Sequence, residues 1–101
     1  MDTQRFLITG GSQGIGAALV ALARKVGHTV VFTGRNESRI AQVAAESGAH
    51  GVRADVSQGN DNARTIEVCR EQMGGVDVLV NNAAFGYLAG VGEIDMASMR
   101  R

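Results

Sequence analysis

Residues 7–16 read LITGGSQGIG: a short apolar run that breaks into glycine and then resumes with helix-forming residues. The apolar part, Phe6-Leu7-Ile8-Thr9, is the first of four such runs. The others are Thr29-Val30-Val31-Phe32-Thr33, the weaker Gly51-Val52-Arg53-Ala54, and Val76-Asp77-Val78-Leu79-Val80. Their starts lie roughly 20 to 26 residues apart, which is βαβ spacing rather than hairpin spacing. The runs are continuous instead of alternating, as expected for strands buried on both faces of a parallel sheet.

The intervening segments have helical character. Ile15, Ala18, Leu19, Leu22, Ala23 and Val26 recur with helical spacing and predict one stripe facing the sheet. Arg24, Lys25 and then Gly27 make a helix stop. A second helix carries Ile40, Val43 and Ala44, capped by Asn36 and ended by Gly48. A third carries Ala63, Ile66, Cys69 and Met73 and closes at Gly74-Gly75; a fourth is expected to open at Asp95. The expected fold class is α/β, a Rossmann-type doubly wound parallel sheet of order 3-2-1-4 with three helices and the start of a fourth.

In that frame the glycines fill a strand-to-helix turn. A helix N-terminus offers unpaired N–H groups and about half a positive charge, which suits an anion. Gly10 permits the tight turn, Gly14 lets a pyrophosphate approach the backbone, and Gly16 lets the helix pack closely on the strand. Ser12 adds a hydroxyl where the phosphate of an adenosine ribose would lie. A glycine turn without a ligand is the alternative, but the position between strand and amphipathic helix favours nucleotide binding.

Thr9-Gly10-Gly11-Ser12-Gln13-Gly14-Ile15-Gly16 resembles the T-G-x-x-x-G-x-G signature of the classical short-chain dehydrogenase/reductase family. Asp55-Val56 after the third strand and Asn81-Asn82-Ala83-Ala84 after the fourth are similar to that family's next two signatures, in order and spacing. Ala84 stands where the family has glycine. The resemblance implies that Gly10, Ser12, Gln13, Gly14, Ile15 and Gly16 belong to the cofactor-binding loop. It also implies that Asp55 and Val56 flank the adenine, and that Asn82, Ala83 and Ala84 line the riboses. Asn82 has a structural alternative, bracing neighbouring strands through its amide.

The end of the second strand sorts the cofactors: a carboxylate there binds the free 2′-hydroxyl of NAD, and an arginine accommodates the 2′-phosphate of NADP. Thr33-Gly34-Arg35-Asn36 contains no carboxylate, so Arg35, helped by Ser12 and Asn36, predicts NADP over NAD. The family transfers hydride between nicotinamide and a carbonyl or alcohol, using a tyrosine in Y-x-x-x-K. A free tyrosine titrates near 10, so a nearby cation is needed to make its phenolate accessible. Here the one tyrosine is Tyr87, followed four positions later by Val91, and the one lysine is Lys25. No catalytic set is therefore assigned. Tyr87 reads as a loop anchor, Ser38, Ser47, Ser57 and Ser98 as caps or helix surface, and His28 and His50 as solvated turn residues. Cys69 reads as a small core residue.

Composition sets the remaining bounds. Ten basic and ten acidic residues balance over 101 residues, with +2 on residues 1–50 and −2 on 51–101. No concentrated basic face points to nucleic acid, and no run is long enough to span a membrane. A single cysteine excludes an internal disulfide or a cysteine metal cluster, and no other metal site is expected. The expectation is a cytoplasmic NAD(P)-binding half-domain over residues 1–101, ending before the catalytic segment of a longer oxidoreductase. A carbonyl or alcohol would be its small-molecule substrate, and a homo-oligomer is compatible with it. A non-catalytic nucleotide-binding or regulatory module, and an inactive remnant, are the alternatives.

Overall fold

The computed structural model describes residues 3–55 and 58–82. Val56, Ala83, Ala84, Tyr87 and the helix expected from Asp95 lie outside them. The order is β1 (Arg5–Thr9), α1 (Gly14–Val26), β2 (Thr29–Gly34), α2 (Glu37–Ser47), β3 (His50–Arg53), α3 (Gly59–Met73) and β4 (Val78–Asn81). The strands form one sheet in the order β3-β2-β1-β4, and every neighbouring pair is parallel. β1 is central, with Leu7 beside Val31 on one side and Leu79 on the other.

Both faces of the sheet are covered, which explains the unbroken apolar runs. On one face Ile8, Val30 and Phe32 meet Val20 and Ala23 of α1 and Ile40 of α2. On the other, Leu7, Val31 and Val52 pack with Ala54 and with Cys69 of α3. Consecutive residues of one strand thus enter different clusters, as the pleat requires. Gly27, Gly48 and Gly74 end the three helices in left-handed conformation. The Asn36 side chain caps α2 by accepting the Arg39 N–H at 3.1 Å.

Three features depart from expectation. The buried positions of α1 are Gly16, Val20 and Ala23, whereas Ile15, Leu22 and Val26 are 72, 57 and 46% exposed. Nine of the thirteen residues in GIGAALVALARKV are apolar, so periodicity leaves the phase of the helix open. Backbone contact at Gly16 sets it instead. In α3 the buried residues are Thr65 and Cys69, and Ile66 is exposed. His28 is no solvated turn residue: its Nδ1 accepts the Gln4 N–H at 2.9 Å, and its ring lies 5.0 Å from Phe6. His50 is exposed as expected, but as the first residue of β3.

At the opposite, N-terminal end of the strands from the glycine loop, Arg5 and Asp77 join β1 to the approach of β4. Arg5 Nε and Nη2 donate to the two Asp77 carboxylate oxygens at 2.9 and 2.8 Å. The Arg5 backbone N–H also donates to Asp77 Oδ2 at 2.9 Å, and the Asp77 N–H donates to the Arg5 carbonyl at 2.8 Å. The Arg5 side chain first, and its backbone N–H second, hold the Asp77 carboxyl down at about 2.

Candidate nucleotide-binding site

Residues 10–13 form the turn between β1 and α1, and β2 supports it from beneath. The Gly10 N–H donates to Thr33 Oγ1 at 3.2 Å, and the Gly11 N–H donates to the Thr33 carbonyl at 2.8 Å. Thr33 is 1% exposed, so a single polar residue in the buried part of β2 holds two successive loop amides. A Cβ on Gly11 would stand 2.7 Å from Phe32 Cβ and 2.9 Å from Val20 Cγ2, so the loop lies directly on the core.

Gly10 and Gly14 take φ values of 70° and 59°, where a side chain is strained. Gly16 is required for a different reason. A Cβ there would fall 2.0 Å from the Gly10 carbonyl oxygen and 2.7 Å from Asn82 Nδ2. The first turn of α1 therefore presses against the loop that precedes it. Asn82 completes the contact: its Nδ2 donates to the Gly10 carbonyl at 3.1 Å, and its backbone N–H donates to Thr9 Oγ1 at 3.0 Å. Asn82 thus has the bracing role, linking the end of β4 to the glycine loop.

This packing presents an open helix end. Gln13, the N-cap of α1, is extended and forms no side-chain cap, and no acidic residue lies in the first turn. Among the described residues, nothing lies within 4 Å of a Cβ built on Gly14, so they leave space where a ligand would meet the backbone. Ser12 is only 8% exposed, and its hydroxyl has no hydrogen-bond partner among the described residues. A buried hydroxyl left without a partner is unfavourable by about 1–3 kcal/mol. It marks a place where a polar ligand would fit.

The remaining candidates gather at the same carboxyl edge of the sheet. Arg35 and Asn36 are exposed immediately after β2. Arg35 has no ion-pair or hydrogen-bond partner among the described residues. Asp55 is half-buried just past β3, and its backbone N–H donates to Asp61 Oδ2 at 2.8 Å. Gln13 and Ile15 project outward at the loop, both exposed. Gly10, Ser12, Gln13, Gly14, Ile15, Gly16, Arg35, Asn36, Asp55 and Asn82 all follow the C-terminal ends of strands. The glycine loop and Asn82 flank the point where the strand order reverses, between β1 and β4, and Arg35, Asn36 and Asp55 follow β2 and β3 to one side of it. In open α/β sheets that crevice is where ligands bind.

Gly11, Thr33 and Gly34 also belong to the site and are not among the residues that sequence alone points to. Cys69 is a core residue whose thiol is pushed up by burial, which suppresses thiolate chemistry. Among the described residues no three His, Cys, Asp or Glu side chains come together to hold a metal ion. No helix among them is long and apolar enough to cross a membrane.

Similar proteins share this architecture. The chain is 40% identical over 85 residues to an A-factor type gamma-butyrolactone 1′-reductase (1S-forming) of Streptomyces virginiae, which covers 79% of this chain and 33% of the relative. It is 41% identical over 87 residues to a 3beta-hydroxysteroid dehydrogenase of Mediterraneibacter gnavus, covering 81% of this chain and 32% of the relative. A solved 3-ketoacyl-(acyl-carrier-protein) reductase from Brucella melitensis, complexed with NADH, superposes with a TM-score of 0.72 at 32% identity. That match covers 75% of this chain and 32% of the reductase. The chain spans about a third of the length of the curated relatives it matches. Residues 4–101 match the short chain dehydrogenase model, so the glycine turn, the parallel 3-2-1-4 sheet and the sequence agree, and the chain belongs to the short chain dehydrogenase family.

Proposed function

We propose that this chain is the NADP(H)-binding portion of a short-chain oxidoreductase that moves a hydride between nicotinamide and a carbonyl or alcohol. The observation that carries the reading is the uncapped N-terminus of α1, set behind a glycine loop that, among the described residues, has open space at Gly14 and an unpartnered buried hydroxyl at Ser12. Backbone N–H groups at Gly14, Ile15 and Gly16 would meet the pyrophosphate, which the helix dipole also favours. Gln13 would flank it, and Asp55 and Val56 would border the adenine. Asn82, Ala83 and Ala84 would lie along the riboses.

Arg35 would take the 2′-phosphate, with Ser12 and Asn36 beside it. The NADH complex of the Brucella relative supports a dinucleotide in general. The choice of NADP rests on this chain's own Arg35 and on the lack of a carboxylate at the end of β2. When bound, the cofactor supplies the hydride donor or acceptor. This chain's residues would bind and orient it; the acid–base pair is not among them, because Tyr87 and Lys25 are its only tyrosine and lysine and lack the Y-x-x-x-K spacing. We therefore place proton transfer and substrate recognition in residues outside this chain.

Titrating the full chain with NADPH and NADH, followed by cofactor fluorescence, tests the proposal. A charge-assisted contact of about 1.5–3 kcal/mol gives NADPH an advantage of roughly 10- to 150-fold. Arg35→Ala should remove that advantage while leaving NADH binding unchanged. Equal affinities in the unaltered chain would contradict the assignment of Arg35.

A further inference from the structure

The chain leaving β3 is held at four backbone groups. The Arg53 carbonyl accepts from Arg64 Nη2, and the Ala54 N–H donates to the Gly34 carbonyl at 2.8 Å. The Asp55 N–H donates to Asp61 Oδ2 at 2.8 Å, and the Asp55 carbonyl accepts the Gln58 N–H at 2.9 Å. Three of these partners come from α3 and its N-cap, Gln58. Asp61 is the acidic residue in the first turn of that helix. A carboxylate there ordinarily serves its own helix, through the dipole or the free N–H groups. Asp61 Oδ2 reaches back out of the helix to Asp55. Arg64 Nη1 holds the other carboxylate oxygen at 3.2 Å, and the buried Thr65 hydroxyl donates to the Asp61 carbonyl at 2.8 Å. Asp61 is thus fixed at side chain and backbone alike.

An ionised carboxylate only accepts hydrogen bonds, so Asp55 suits the 6-amino group of adenine and would repel a carbonyl oxygen at that position. Discrimination of this kind needs a side chain aimed in advance, and its aim depends on the backbone that carries it. We propose that Asp61 is a positioning residue for base recognition: by holding the Asp55 N–H, it directs the Asp55 carboxylate to the 6-amino edge of adenine. Arg64 supports it by holding both Asp61 and the Arg53 carbonyl. The free chain already makes all of these bonds, so α3 contributes without moving when the cofactor arrives. The inference rests on the assignment of Asp55 to the adenine made above.

The test titrates the full chain with NADPH and with its hypoxanthine analogue, in which a carbonyl oxygen replaces the 6-amino group. The unaltered chain should bind NADPH about tenfold or more tighter than the analogue, as one charge-assisted hydrogen bond allows. Asp61→Ala should cut that preference to about threefold or less, by weakening NADPH while the analogue keeps its affinity. Asp61→Asn retains an acceptor oxygen and should retain the preference. A merely structural role would weaken both ligands alike. If Asp61→Ala lowers both affinities by the same factor, or leaves the preference as it was, the proposal is overturned.

Should Asp61→Ala fail to fold, Arg64→Ala replaces it, since that side chain is exposed and its loss releases both Asp61 Oδ1 and the Arg53 carbonyl. It should lower the preference in the same direction, and an unchanged preference would overturn the positioning role. Asp55→Ala separates the two levels of the inference. It should abolish the preference, and Asp61→Ala added to it should then change the preference no further. If Asp55→Ala keeps the preference, the assignment of Asp55 to the adenine falls, and the positioning role with it. If Asp55→Ala abolishes the preference but Asp61→Ala spares it, only the positioning role falls.

Discussion

Gly16 and Asn82 meet at the same atom, the Gly10 carbonyl oxygen. Gly16 leaves room for it and Asn82 donates to it at 3.1 Å. Gly16→Ala would force a methyl group to within 2.0 Å of that oxygen, so helix and loop must separate. Overpacking of this kind destabilises by about 1–3 kcal/mol; urea unfolding should give that loss, and NADPH titration a parallel loss of affinity. Asn82→Ala removes a donor without creating a clash, and a midpoint shift worth about 1 kcal/mol is expected. Gly10, Gly14 and Gly16 were legible in the sequence because their meaning depends on a local strand-turn-helix pattern. Thr33 and Gly34 were not, because they act only once β2 lies beside β1, and that adjacency is tertiary. The bracing role of Asn82 was one of two open readings until its amide could be traced to Gly10.

The lesson is similar for the elements. Helix boundaries followed from glycine stops and the Asn36 cap, which are local signals. The buried face of α1 did not follow, because its apolar residues surround most of the helix and the deciding contact is a glycine. A paired measurement checks the corrected face. Val20 is fully buried, so Val20→Ala should destabilise by about 2–3 kcal/mol. Leu22→Ala, at a position 57% exposed, should stay within about 0.5 kcal/mol. If Leu22 were the more costly site, α1 would have to be rotated.

The clip between β1 and β4 gives a pH signature. Asp77 is held at about 2, below its ordinary 3.8, so its contribution is present above pH 4 and is lost as pH falls toward 2. Urea midpoints between pH 5 and 2.5 should fall more steeply for the unaltered chain than for Asp77→Asn. Equal slopes would remove the clip from the account.

At the scale of the molecule, strand order was legible because four apolar runs at βαβ spacing, one followed by a glycine turn, leave few topologies open. The order β3-β2-β1-β4 brings four strand ends together, and with them residues from across the chain. Substrate was not legible, since the relatives of this family are about three times as long and the described residues contain no acid–base pair. Among the described residues β4 pairs only with β1, and Leu79 is 51% exposed. The candidate nucleotide site draws on residues that follow β1, β2 and β3, together with Asn82 after β4.

The central claim is that the loop from Gly10 to Gly16 receives a dinucleotide phosphate. The measurement that tests it most directly is a backbone amide spectrum of the chain recorded during titration with NADPH. The account predicts the largest shifts at Gly14, Ile15 and Gly16, with smaller ones at Ser12 and Arg35, and none along α3. Saturable shifts confined to α3 or to the Arg5–Asp77 edge, or no shifts at all, would contradict it.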